Sequence, residues 1–381
     1  MKFIHLSDLH LGKRVNGYAM LEDQKYILTQ IINIIDAEDP DGILIAGDVY
    51  DQSVPSAEAV SLFDDFLVRL AGRHLPVWII SGNHDSAERL AFANRLLDVS
   101  GIHLSPVYNG MVAPVVMEDA FGPVNIYMLP FIKPVTVRRF FPDQSINTYT
   151  EAVSAAIDAM AVDPAARNVL ITHQFVTGAA TSESEEISVG GTDNVDASVF
   201  AAFDYVALGH LHRPQNVGTN RIRYCGTPLK YSFSECSDYK SVSVVELKEK
   251  GDLEIRTIPL KPLREMVVLK ADFETLMDPA YYANTTWQED YTHLILTDEQ
   301  DVPDAPARLR TVYHRIMKIS CDNTRTRHVA TVEMTDGVDE RAPIELFSDL
   351  YQQQNGVELD ATQRDYLQDL IEGIWDGEVT L

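Results

Sequence analysis

Ile43-Leu44-Ile45-Ala46-Gly47-Asp48-Val49-Tyr50-Asp51 is an apolar run that stops at a glycine followed by two acids three residues apart. A short apolar run without polar alternation fits a strand covered on both faces, as in parallel sheets. The stretch therefore reads as a buried parallel strand that delivers Asp48 to a site. Four other runs end the same way: Lys2-Phe3-Ile4-His5-Leu6-Ser7-Asp8-Leu9-His10, Val77-Trp78-Ile79-Ile80-Ser81-Gly82-Asn83-His84-Asp85, Val169-Leu170-Ile171-Thr172-His173 and Val206-Ala207-Leu208-Gly209-His210-Leu211-His212. Each places a His, Asp or Asn where the run stops, so five strands converge on one polar cluster.

Segments with helical spacing lie between these strands: Ile27, Ile31, Ile34 and Ile35; Leu62, Phe63, Phe66, Leu67 and Leu70; Leu90, Leu96 and Leu97. Such alternation implies an α/β fold of sheet layers covered by helices, with sites beyond the carboxyl ends of the strands. From Gly110 the pattern turns strand-like over Val112 to Met117 and Asn125 to Leu129, and later over Ser241 to Glu246 and Leu253 to Ile258. Pro259 and Pro262 punctuate the chain, which places a boundary near Pro262. Beyond it Met266 to Leu269, Thr292 to Leu296 and His328 to Glu333 read as strands around a helix over Ala307 to Ile316, a small appended α+β domain. The expected organisation is a main domain over 1–262, an α+β capping domain over 263–338 and a helical tail over 339–381. In the tail, Tyr366, Leu367, Leu370, Ile371, Ile374 and Trp375 repeat at helical spacing behind a Thr362/Asp365 start pattern.

Composition narrows the classes. The 381 residues suggest two or three domains, and 45% hydrophobic content supplies a substantial core. Cys225, Cys236 and Cys321 have no metal-type spacing and are odd in number, which argues for a reducing cytoplasm and against a disulfide framework or zinc finger. There is no charged and apolar leader, and no run nears the roughly 20 apolar residues of a membrane span. A soluble, unprocessed protein is expected. The net charge of -26 argues against a polyanionic partner on average. A site filled with divalent cations is locally positive all the same. Between Glu333 and Glu378 the only basic residues are Arg341 and Arg364, so the tail carries much of the acidity.

Asp8-x-His10, Gly47-Asp48-x-x-Asp51, Gly82-Asn83-His84-Asp85, His173 and Gly209-His210-x-His212 hold five of the eleven histidines. Carboxylate, imidazole and amide oxygen without thiolate suit manganese, iron or zinc. Residues at i and i+2 of an extended segment point the same way, so Asp8/His10 and His210/His212 can each meet one site. Seven candidate ligands exceed one tetrahedral ion and indicate two metals bridged by a carboxylate, the arrangement of two-metal phosphoester-cleaving sites. A lone histidine is commonly a core or surface residue; five at strand ends beside glycines and acids are not explained that way.

These five motifs, in this order, resemble the calcineurin-like metallophosphoesterase superfamily, which implies a β-sandwich flanked by helices around a two-metal centre. Ser188-Val189-Gly190-Gly191-Thr192-Asp193 and Gly226-Thr227-Pro228-Leu229-Lys230-Tyr231-Ser232-Phe233-Ser234-Glu235 further resemble the SbcD family of DNA repair exonuclease subunits. The resemblance implies that Asp8, His10 and His212 bind one metal, that Asn83, His173 and His210 bind the other, and that Asp48 bridges them, with manganese the foremost cation. It implies that His84 assists the leaving oxygen. Asp51 is a further catalytic candidate, for orienting His84, contacting substrate or capping a turn. Lys13, Arg14, Arg89, Arg213 and Lys230 are candidate DNA-backbone contacts. His5, His74, His103, His293, His314 and His328 match no motif and are expected to be structural or surface residues.

The function implied is hydrolysis of phosphodiesters at DNA ends and hairpins, as double-strand exonuclease and single-strand endonuclease, in repair and recombination. The resemblance also implies a homodimer through Ser56 to Ala71 and Glu88 to Asp98, and a large coiled-coil ATPase partner of the SbcC type gripped by Pro343 to Trp375. A phosphoesterase acting on phosphoproteins or small phosphodiesters is the alternative. Against a protein phosphatase, Gln52 stands where Arg is typical and Asp85 where Glu is. A noncatalytic scaffold would lack a ligand or His84, and this chain lacks neither.

Overall fold

The computed structural model describes residues 1–185, 194–323, 343–355 and 358–375. The 188–193 motif, His328 and the strand expected over 328–333 lie outside the described residues.

Two six-stranded sheets carry the architecture. The first contains β1 (Lys2–Leu6), β2 (Gly42–Ala46), β3 (Val77–Ile80) and β4 (Ile102–Leu104), all parallel, with β11 (Ser241–Leu247) and β12 (Leu253–Pro259) added antiparallel beside β1. The second runs β9 (Gln215–Val217), β10 (Thr219–Tyr224), β8 (Tyr205–Gly209), β7 (Arg167–His173), β6 (Gly122–Leu129) and β5 (Val115–Asp119). Pro114 precedes β5, so this strand starts later than the apolar pattern at Val112 predicts.

Alternation within each strand sorts side chains into layers. Phe3, Leu44, Trp78, Ile126, Ile171 and Tyr205 form the layer shared by the two sheets. Ile4, Ile43, Ile45 and Val77 face the other way and pack with the helices Leu21–Glu38 and Ala57–Ala71. Leu170, Val206 and Leu208 pack with the helix Tyr149–Ala159, whose start is fixed by a reciprocal Thr148/Glu151 cap. Burial on both faces explains why β2 and β7 are apolar without interruption.

A third sheet, β13 (Met266–Ala271), β14 (Tyr291–Leu296) and β15 (Arg315–Cys321), follows Pro262. The helix expected over Ala307 to Ile316 is shorter, Ala305–Leu309. Leu309, Val312 and Tyr313 keep helical spacing and are buried, but the Val312 and Tyr313 amides both close on the Leu309 carbonyl, and His314 N then donates to Gln288 O at 2.9 Å. That bond draws the chain into β15.

The chain divides into two compact units, Met1–Ile295 with Asp304–Ser320, and Leu296–Pro303 with Cys321–Leu381. The second contains the helices Pro343–Asn355 and Ala361–Trp375. The start of the latter is capped by Asp360 and Gln363, each accepting from the other's amide, and not by the expected Thr362/Asp365 pair. Among the described residues no helix is long and apolar enough to cross a membrane.

Candidate metal centre

Loops leaving the ends of β1, β2 and β3 meet loops leaving β7 and β8. The first two are laced together by backbone bonds, with Asp8 N donating to Gly47 O, His10 N to Asp48 O and Leu11 N to Val49 O. Asp8, His10, Asp48 and His210 all have positive φ, a conformation that disfavours side-chain-bearing residues and persists where surrounding contacts enforce it. The expected route, an extended segment turning i and i+2 to one side, is therefore replaced at Asp8 and His10 by left-handed kinks beyond the strand end. Gly82 and Gly209 allow the close approach: a Cβ on Gly82 would overlap Asp48 Oδ1, and one on Gly209 would overlap the Ala46 carbonyl oxygen.

Two groups of donors result. Asp8, His10 and His212 present ligand atoms within 4.8 Å of one another, and His10 Nε2 lies 3.1 Å from His212 Nε2. In the other, Asn83 Oδ1 lies 3.0 Å from His173 Nε2 and 2.9 Å from His210 Nδ1. His210 and His212 thus divide between the groups. Asp48 stands between them, with Oδ2 3.3 Å from His173 Nε2 and 3.7 Å from His10 Nε2. Its Oδ1 accepts from His84 N at 2.9 Å. The His84 ring sits at the rim, Nδ1 3.0 Å from the Asp51 backbone oxygen and Nε2 4.0 Å from Asp48 Oδ2. The Asp51 carboxylate instead takes Lys13 Nζ at 2.7 Å and lies 3.4 Å from His10 Nδ1.

Burial dominates the electrostatics. It pushes His10 and His210 down to about 3, so both imidazoles are neutral donors. It pushes Asp8 up to about 6 against the pull of His173 and His212. At Asp48 burial opposes ionisation, but His173 and His10 outweigh it and hold the carboxyl well below the usual range. Among the described residues Asp8 Oδ2 is buried without a hydrogen-bond partner, while His10 Nδ1 faces the Asp51 carboxylate and leaves Nε2 toward His212. A buried, unmatched carboxylate oxygen of this kind, with neutral imidazoles, an amide oxygen and no thiolate, fits divalent cations.

Residues 1–214 match the calcineurin-like phosphoesterase family, and residues 262–355 match the type 5 capsule protein repressor C-terminal domain. The SbcD subunit of nuclease SbcCD from Staphylococcus epidermidis is 36% identical over 324 residues, which cover 84% of this chain and 85% of that protein. This chain belongs to the SbcD family of calcineurin-like phosphoesterases. The corresponding protein of Staphylococcus saprophyticus is 35% identical over 84% of each chain. A dimetal phosphatase from Danio rerio aligns with 69% of this chain and 98% of its own, at 12% identity and a TM-score of 0.39. As an SbcD-family protein the chain is a metal-dependent phosphodiester hydrolase, built on the β-sandwich flanked by helices that its five motifs imply.

The basic candidates are distributed unevenly around this SbcD-family centre. Arg14 and Arg89 are exposed, and Arg14 lines a groove of about 280 Å³ with Asp51 and Gln52. Lys13 is held by Asp51, Arg213 by Asp238 and Lys230 by Glu265. Of the unmatched histidines, buried His5 bonds Tyr205 and is pushed down to about 3 by burial, while His103 and His314 pair with Asp98 and Glu289. Sequence reading placed Asp85 in a motif but gave it no role; its carboxylate accepts from the Val49, Tyr50 and Gly82 amides and so ties the β2 loop to the β3 loop. Its one signal is its place directly after Asn83-His84.

Proposed function

We propose that this chain is the nuclease component of an SbcCD-type complex, hydrolysing DNA phosphodiesters at ends and hairpins. The observation that carries the proposal is the position of the Asp48 carboxylate between two donor groups, with His84 standing at its open side. Asp8, His10 and His212 would hold one divalent ion, Asn83, His173 and His210 a second, and Asp48 would bridge them; the donor set suits manganese, iron or zinc, and the family resemblance puts manganese first. Bound there, the pair would supply hydroxide near neutral pH and offset the charge that builds on the phosphate oxygens. His84 donates Nδ1–H to the Asp51 carbonyl, which leaves Nε2 facing the site, where a second proton carried on Nε2 would pass to the departing oxygen. Asp51 thus serves His84 through its backbone and Lys13 through its side chain. Among the described residues Arg14 and Arg89 have no ion pair of the kind that engages Lys13, Arg213 and Lys230, which favours them as first contacts with the DNA backbone.

A chain of net charge -26 gains from a partner that brings basic surface. The relatives' designation as one part of SbcCD, and exposed Phe347, Leu350 and Tyr366 on the tail helices, support docking of residues 339–381 on an SbcC-type ATPase, with 263–338 as the capping domain. Exposed Val60, Val68, Phe92 and Leu96 support a homodimer through the segments around them. Three cysteines, odd in number and without metal-type spacing, accord with a cytoplasmic setting.

Manganese-dependent digestion of end-labelled duplex and hairpin DNA, with and without the ATPase, tests the proposal against His84→Ala. Cleavage that the variant loses while still binding metal is expected. Hydrolysis of small phosphodiesters with no cleavage of either DNA would replace the proposal with the phosphodiesterase alternative.

A further inference from the structure

Behind His212 lies a buried chain of polar side chains that the proposal above leaves unused. Lys240 is 5% exposed, and its Nζ donates to Glu235 Oε2 at 2.5 Å, the His212 carbonyl at 2.8 Å and Thr227 Oγ1 at 2.9 Å. All three ammonium protons are engaged. Glu235 is fully buried, and its other oxygen, Oε1, bonds Ser184 Oγ. Ser184 Oγ also lies 2.5 Å from His212 Nδ1 and 3.0 Å from Ser182 Oγ. The His212 amide is held separately by Glu185 Oε1 at 2.6 Å.

Counting protons along this chain leaves one arrangement. A carboxylate against an ammonium only accepts. Ser184 has a single hydroxyl proton, and directing it anywhere but Glu235 would set two lone pairs against each other beside a buried charge. The Ser184 oxygen then accepts from Ser182 O–H and from His212 Nδ1–H. His212 therefore carries its proton on Nδ1, and its Nε2 presents a lone pair toward the space it shares with His10 Nε2.

We infer that Glu235, anchored by Lys240 and acting through Ser184, is the positioning residue that fixes the ring orientation and tautomer of His212 for cation binding. This rests on the reading of His212 as a ligand. The arrangement extends the common histidine–carboxylate support of metal sites by one hydroxyl. Glu235 closes the Gly226-to-Glu235 stretch, so the inference gives that stretch a chemical task 23 residues from the ring it serves, 235 − 212.

The test uses the full chain and two readouts. In metal-free protein, nitrogen–proton correlation NMR of the His212 ring reports the tautomer; isothermal calorimetry reports Mn²⁺ binding. Wild type should show the Nδ1–H form. In Glu235→Gln the side-chain amide can donate to Ser184, whose own proton then turns to His212 Nδ1 and drives the ring to the Nε2–H form. Affinity at one Mn²⁺ site should fall by about 10- to 100-fold, with the other site changed less. Ser184→Ala should reproduce the loss of affinity and Ser184→Thr, which keeps the hydroxyl, should restore it. Glu235→Gln with Lys240→Met repeats the measurement with both buried charges removed, should the single variant fold poorly. A lowered melting temperature with unchanged tautomer and unchanged Mn²⁺ affinity would overturn the inference and leave the chain a structural network. A wild-type chain that takes up no Mn²⁺ would overturn the metal-centre reading instead, and the tautomer measurement would still stand on its own.

Discussion

Gly82→Ala isolates the geometry on which the centre depends. The residue lies in the loop after β3, outside the left-handed region, so alanine meets no backbone objection; only space is at issue. A Cβ would lie 2.5 Å from Asp48 N and 2.7 Å from Asp48 Cγ, besides overlapping Oδ1. Comfortable carbon contacts begin near about 3.5 Å, so the Asp48 carboxylate must retreat by about 1 Å. It has nowhere to go without loss. Asp48 is 1% exposed, its Oδ1 accepts from His84 N, and its Oδ2 lies 3.3 Å from His173 Nε2. Overpacking of this kind costs about 1–3 kcal/mol, and losing the charged hydrogen bond costs about 1.5–3 kcal/mol. A reacting group misplaced by about 1 Å lowers rate by about 100-fold. Urea unfolding in chelator should show lower stability, calorimetry weaker Mn²⁺ binding, and DNA digestion a loss of about 100-fold or more. Gly72→Ala is the control, since its Cβ would meet nothing closer than Val68 O at 3.4 Å. Wild-type unfolding and wild-type digestion by Gly82→Ala would refute the claim that close backbone approach holds Asp48 in place.

Other expectations concern charge. Burial works to lower the His173 pKa, but Asp48 and Asp8 outweigh it and push the ring up to about 9 from its ordinary 6.5. Because the folded value is the higher, this proton stabilises the metal-free fold fully below pH 6.5, and its contribution is lost as pH rises through about 9. A cation must displace it, so Mn²⁺ affinity should climb by about tenfold per pH unit across that window; calorimetry in buffers of different ionisation enthalpy counts the proton, and a flat profile would contradict the assignment. Lys240→Met alone strands buried Glu235 and should cost about 3–5 kcal/mol in urea unfolding, much of it recovered when Glu235→Gln is added; equal losses in single and double variants would speak against a paired charge. Asp85→Asn turns an amide toward one of three backbone donors and should lose about 1–3 kcal/mol, read as a lower urea midpoint at unchanged slope.

What was legible in the sequence was whatever strand burial writes into it. β2 and β7 are covered on both faces, so their apolar runs are unbroken and the polar residue that ends each stands out. The same logic marked Asp8, Asn83 and His210. The capping sheet was harder, because Leu309, Val312 and Tyr313 satisfy helical spacing while the chain is already turning, and only a bond to distant Gln288 decides the matter. Supports such as Asp85, Ser184 and Lys240 carry no periodic signal at all. Asp85 reaches Val49 across 36 residues of sequence, and Ser184 and Lys240 each reach His212 across 28. A polar residue in a loop looks the same whether it holds a ring in place or faces water.

The centre draws on both sheets, with Asp8, His10, Asp48 and Asn83 from loops of the first and His173, His210 and His212 from loops of the second. β1, moreover, pairs antiparallel with Ser241–Leu247, which emerges much later. On the ribosome, then, the early strands emerge with half a donor set and an unfinished edge. A chain arrested before position 210 would lack two of the seven proposed metal ligands, His210 and His212, and one arrested before Ser241 would also lack the strand that pairs with β1, so the proposed centre is completed only late in synthesis.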